Sequence, residues 1–98
     1  MGLTFQLDRK LDYRSIGPLL EQLRPATGQD IVLDASATEV IGAPALQILL
    51  AAARTCRRNG FAITLTNVRD DLVAQLNLMG LSVADIQAGG ASAEKEWV

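Results

Sequence analysis

Residues 31–60 constrain the fold more than any other stretch, because they read as one strand, one short loop and one long helix in succession. Ile31, Val32 and Leu33 make an apolar run too short for a helix and suited to a buried strand, which Asp34 ends. The helix opens at Gly42-Ala43-Pro44, where a proline in the first turn sacrifices no hydrogen bond. Leu46, Leu49, Leu50 and Ala53 then recur at i, i+3, i+4 and i+7 and form one apolar stripe. Arg57 and Arg58 fall in the last turn, where cations meet the negative end of the helix dipole. Gly60 supplies a left-handed stop.

This unit carries no reactive group, and the rest of the chain adds few. Histidine is absent and Cys56 is the single cysteine. No Ser/His/Asp triad, Cys/His pair, zinc cluster or internal disulfide can therefore be assembled. Gly89-Gly90 follows no strand, so a phosphate-cradling loop is missing as well. Asp70 and Asp71 are adjacent, which points them apart on a helix and suits them to its N-terminal turn. The reading is that there is no catalytic residue, no metal ligand set and no cofactor. A net charge of −2, from 9 basic and 11 acidic residues, leaves no electrostatic footprint for nucleic acid. No apolar run reaches the roughly 18–20 residues of a membrane span, and residues 1–6 lack a signal peptide's charged start. Together with the lone cysteine this predicts a cytoplasmic location without direct membrane insertion. Ninety-eight residues, 49% of them apolar, suffice for one domain with one modest core.

Along the chain, strand and helix patterns alternate. Residues 3–7 alternate apolar and polar as a half-buried strand does. A turn at Arg9 and Lys10 leads to a helix over 13–23 with Ile16, Leu19, Leu20 and Leu23 inward, and Pro18 is read into its first turn. The strand at 31 and the helix at 44 follow. Residues 61–66 alternate again, with Phe61, Ile63 and Leu65 on one side. Asn67 is read as the cap of a third helix with Leu72, Val73, Leu76 and Met79 inward and Gly80 as its stop. Residues 81–86 are read as a last short strand. The fold class is thus α/β, a small four- to five-stranded β-α wound sheet with three to four helices. One domain is expected over 1–87, and the small polar stretch 88–98 is read as a disordered tail.

Three segments resemble a known family. Ile31-Val32-Leu33-Asp34-Ala35-Ser36 looks like a family strand that ends in Asp and then Ser. Val40-Ile41-Gly42-Ala43-Pro44-Ala45-Leu46 looks like its loop into the second helix. Phe61-Ala62-Ile63-Thr64-Leu65-Thr66-Asn67-Val68, with Leu76-Asn77-Leu78-Met79-Gly80-Leu81 after it, looks like its third strand and following helix. In this order the segments resemble the STAS domain, shared by sulfate transporters and anti-sigma factor antagonists. Regulated antagonists carry Asp-Ser-Ser-Gly-Leu at the second helix, where a partner kinase phosphorylates the serine. The matching positions here are Gly42, Ala43, Pro44, Ala45 and Leu46, so the family's phosphorylation position (Ala43/Pro44) has no hydroxyl.

The resemblance implies a protein partner and a docking surface. Ser36, Thr38, Gly42, Ala43, Pro44 and Ala45 of the loop, with Ile48 and Ala52 on the helix's outer flank, are the candidate partner-binding residues. Ser36 and Thr38 are read as loop hydroxyls making local hydrogen bonds, and Cys56 as a small core side chain. Arg54, Arg57 and Arg58 are read as a solvated face, and Trp97 as a tail residue. The wording around the second helix looks similar to small STAS proteins of bacterial chemotaxis operons, which implies a signalling adaptor for a chemotaxis histidine kinase or an anti-sigma-type kinase. The alternative is the STAS subunit of a lipid-transport ABC complex binding its ATPase. One sequence leaves self-pairing into a homodimer open.

Overall fold

The computed structural model describes residues 2–89. Its elements run β1 (Leu3–Gln6), β2 (Lys10–Leu11), a 3-10 turn (Tyr13–Ser15), α1 (Ile16–Leu23), a second 3-10 turn (Arg24–Ala26), β3 (Ile31–Asp34), β4 (Val40–Ile41), α2 (Ala43–Arg58), β5 (Ile63–Thr66), α3 (Asp70–Leu78) and α4 (Val83–Gln87). β1, β3 and β5 form one parallel sheet with β3 in the middle, and β2 pairs with β4 in a second, two-stranded parallel sheet. The α/β class read from the sequence is what the chain adopts, with five short strands divided between the two sheets.

Register explains which side of the larger sheet is covered. Leu3, Ile31 and Ile63 lie in one row and Phe5, Leu33 and Leu65 in another. Ile31, Leu33, Ile63 and Leu65 are buried beneath the helices. The alternate residues Thr4, Gln6 and Thr64 are exposed, so the opposite face lies toward solvent and is polar apart from the half-buried Val32 of the central strand. α2 spans the covered side between α1 and α4. Its stripe holds as read: Leu46, Leu49, Leu50, Ala53 and Cys56 are all buried. Each leucine so placed contributes about 1.5–3 kcal/mol by leaving water. Gly60 and Gly80 take the left-handed conformation after α2 and α3, at φ +85° and +80°.

Four local expectations are corrected. Residues 81–86 do not form a strand: α4 begins at Val83, because Ser82 and Asp85 close a reciprocal capping box (2.9 and 3.1 Å) and Ile86 turns into the core. Lys10 is not in a turn but pairs with Val40. The first helix is split, with a 3-10 turn over Tyr13–Ser15 ahead of α1, although Pro18 does sit in the first turn of α1. Asn67 does not cap α3. It takes the left-handed conformation at φ 55°, and the extended Arg69 precedes the helix without a side-chain cap.

Ala88 and Gly89, assigned to the tail by the sequence, close the end of α4 instead. The Ala88 N–H donates to Ala84, and the Ala88 carbonyl accepts from Arg57. Gly89, at φ +73°, lies so close to α2 that an added Cβ would sit 2.9 Å from the Arg54 nitrogen. The remaining tail residues 90–98, with Trp97, lie outside the described residues.

Candidate protein-docking site

The chain leaves β3 at its C-terminal end and must turn, cross and enter α2 within eight residues. Side-chain hydrogen bonds fix that path. Asp34 Oδ1 accepts from the Ser36 N–H at 2.9 Å and from the Asn67 side-chain amide at 3.2 Å, closing an Asx turn. These donors favour the charged carboxylate. The Ser36 N–H, then the Ser36 hydroxyl, then Asn67 hold the Asp34 pKa below its ordinary value. Thr38 has no accessible surface, and its hydroxyl donates to the Asp8 carbonyl at 2.9 Å. Arg9 and Glu39 form an ion pair across the base of the loop.

β4 carries the chain to α2 and is gripped from both sides. On one side Gly42 N–H donates to the Leu11 carbonyl of β2 at 2.8 Å. On the other, α3 presents Gln75, whose amide oxygen accepts from Ile41 N–H at 3.1 Å and whose amide nitrogen donates to the Glu39 carbonyl at 2.7 Å. One side chain thus stands in for the next strand. Gly42 enters α2 in an extended conformation with no side-chain cap, and Pro44 removes one of the free N–H groups at the helix start.

The candidate residues separate by exposure. Ser36, Ala43 and Pro44 are exposed, and Gly42 and Ile48 are half-buried. Thr38 and Ala45 are fully enclosed, and Ala52 retains only 7% exposure. These three support the surface from within and do not present it. For Ala52 the physical reason is α1, which packs along the flank of α2, and for Thr38 it is the bond to the Asp8 carbonyl. Between the two helices an open cleft of about 200 Å³ remains, lined by Leu20, Leu23, Ile48 and Ala52. Cys56 is buried, and desolvation, with Asp30 nearby, pushes its thiol pKa up, as befits a core side chain.

Sequence reasoning missed three residues of this surface. Val40 is 45% exposed although it belongs to a strand, and Leu78 is 88% exposed although it is the last apolar residue of α3. Leu78 lies one helical turn beyond Gln75, the residue that straddles Val40. Leu78 was detectable because it sits two residues past Leu76, off the inward stripe. Val40 and Gln75 carry no such signal. Among the described residues no group of three carboxylate, Cys or His side chains is placed to hold a metal ion. No described helix is long and apolar enough to cross a membrane.

No curated protein matches the chain. A family model does: residues 3–87 match the family described as "Mlab, STAS domain". The match covers every described strand and helix, and the chain therefore belongs to the STAS domain family.

Proposed function

We propose that this STAS domain is a non-catalytic signalling adaptor that docks on a kinase of the chemotaxis histidine kinase or anti-sigma type, without a phosphoserine switch. The observation that carries the reading is the loop from Asp34 to Gly42. It is pinned by Asp34, Thr38 and Gln75 yet exposes Val40 and leads into the exposed Ala43 and Pro44 at the start of α2, while α3, which carries Gln75, ends in an exposed Leu78. A preformed apolar surface binds with little ordering cost. Such a surface, with no histidine behind it, suits a partner better than a substrate.

A second reading, docking on the ATPase of a lipid-transport ABC complex, is favoured by Ser36. Its hydroxyl-bearing side chain is exposed at the loop tip, and that class of subunit keeps a hydroxyl near the loop. Purified candidate kinase and candidate ATPase are immobilised separately and offered the unaltered chain, the Val40→Lys and Leu78→Lys variants, and Thr64→Lys on the open sheet face. Retention by one partner, lost in the first two variants and kept in the third, supports docking through this surface. Equal retention of all four chains, each folded by circular dichroism, rules the surface out.

A further inference from the structure

The sheets have four outward edges, and three are closed by side chains. β5 is covered by α4, whose Gln87 amide oxygen accepts from the Leu65 N–H at 2.9 Å. β4 is closed by Gln75 at both ends of its amide. β2 carries the charged Lys10, whose carbonyl accepts from the Ser15 hydroxyl at 2.7 Å. Among the described residues β1 has no such cover. Its Leu3 and Leu7 N–H groups donate inward to Asp30 and Asp34 of the β3 segment, at 2.9 Å each. Thr4 and Gln6 therefore direct both N–H and C=O outward, away from β3. Among the described residues no side chain bonds to them. The strand also lacks the charges, proline or bulge that protect an edge.

We infer that β1 is the self-association edge of this domain, pairing antiparallel with β1 of a second copy across a two-fold axis at Phe5. This surface is separate from the α2 loop and does not rest on the partner reading above. The register follows from which groups point outward. Thr4 pairs with Gln6 of the second copy and Gln6 with its Thr4, giving four backbone hydrogen bonds. The two Phe5 residues then face each other as the close, non-hydrogen-bonded pair. Leu3 meets Leu7, and Asp8 meets Gly2, so no like charges oppose each other. A second copy is the occupant because the strand is self-complementary in this register. It offers equal donors and acceptors, no charge and a half-buried Phe5 beside a Leu3 that is 39% exposed. Pro18 and Gln22 of α1, which flank Gln6 across a small cleft, are uncharged as well, and the charged Asp8 in the same cleft lies opposite Gly2 in this register.

Cys56 is buried, so a cysteine introduced at Phe5 is the accessible thiol among the described residues. Non-hydrogen-bonded pairs have Cα atoms about 4.5 Å apart, within disulfide range. Phe5→Cys is expected to run as a disulfide-linked dimer after mild oxidation, while Thr64→Cys stays monomeric. Sedimentation of the unaltered chain over a concentration series should show a shift toward twice the monomer mass. Thr4→Pro should abolish that shift with the circular dichroism spectrum retained, since the lost N–H serves no bond within the monomer. If Thr4→Pro does not fold, Thr4→Lys combined with Gln6→Lys replaces it and sets like charges opposite each other. A chain that stays monomeric at every concentration overturns the inference, as does a dimer that neither variant weakens. A monomer whose Thr4→Pro variant loses an extended protein partner also overturns it, and assigns the edge to that partner.

Discussion

Gln75 holds the Ile41 N–H at 3.1 Å with one end of its side-chain amide and the Glu39 carbonyl at 2.7 Å with the other. A residue of α3 thereby sets the path by which the chain enters α2. This amide is the side-chain link that ties the loop between β3 and α2 to α3, beside the bonds that hold the loop to Asp8 and Leu11.

Gln75→Ala removes both bonds and leaves two half-buried backbone groups unpaired. The expected loss is about 1–3 kcal/mol of unfolding free energy, read by urea denaturation. Gln75→Glu retains an acceptor for Ile41 but turns a carboxylate oxygen toward the Glu39 carbonyl. It should restore the Ile41 amide's protection from hydrogen exchange without restoring full stability. A variant as stable as the unaltered chain would show that β4 does not need the clamp.

Asp34 predicts a pH dependence of the loop. Its folded-state pKa is depressed by the Ser36 and Asn67 donors. Its contribution is therefore fully present above the unfolded value of about 3.9, and is lost as pH falls through the lower folded value. Amide NMR of Ser36 should titrate with a midpoint below that of an unperturbed aspartate. Asn67→Ala should move the midpoint upward, toward the ordinary range. An unmoved midpoint would remove Asn67 as a cause.

Leu50 and Leu78 are both aliphatic helix residues with opposite roles. Leu50→Ala should cost about 2–5 kcal/mol, because its side chain is buried in the α2 stripe. Leu78→Ala should change stability by no more than about 0.5 kcal/mol, since 88% of Leu78 is exposed. Chemical denaturation of the two variants side by side decides the assignment of faces. A Leu50 loss below that smaller figure would place the stripe wrongly.

The start of α2 offers no phosphate acceptor. Gly42, Ala43, Pro44 and Ala45 lack hydroxyls, and Thr38 is enclosed with its hydroxyl bound to Asp8. Incubation with a candidate kinase and ATP should leave the intact mass unchanged while partner binding persists. Stoichiometric addition of one phosphate at Ser36, the exposed loop hydroxyl, would show that the switch has moved to the loop tip.

The sequence announced the parts of this molecule that follow from local pattern. α2, the central strand β3, the glycine stops at 60 and 80 and the inward Leu72 and Leu76 all come from periodicity and capping chemistry that a linear reading captures. α4 reads as a strand although its Ser82/Asp85 capping pattern is present, because the segment is too short to show a helical period. The two-residue strands β2 and β4 have no periodicity to detect, and only their pairing defines them. The loop was legible through family resemblance. Its division into outward Ser36, Ala43 and Pro44 and inward Thr38 and Ala45 was not, because that depends on how α1 and the Asp8 carbonyl are placed in space.

Every rung of both sheets joins strands that run in the same direction. No pair of hydrogen-bonded strands can therefore zip together from a tight turn. Each pairing must await closure of a loop that contains a helix, and that entropy is lost before the first rung forms. α2, with sixteen residues of local hydrogen bonds, is the element able to gather structure early. Refolding should accordingly proceed at the pace of mixed α/β domains, slower than the microseconds open to helical bundles. Stopped-flow mixing would read this directly, and substitutions in α2 should slow refolding more than equally costly ones in β1.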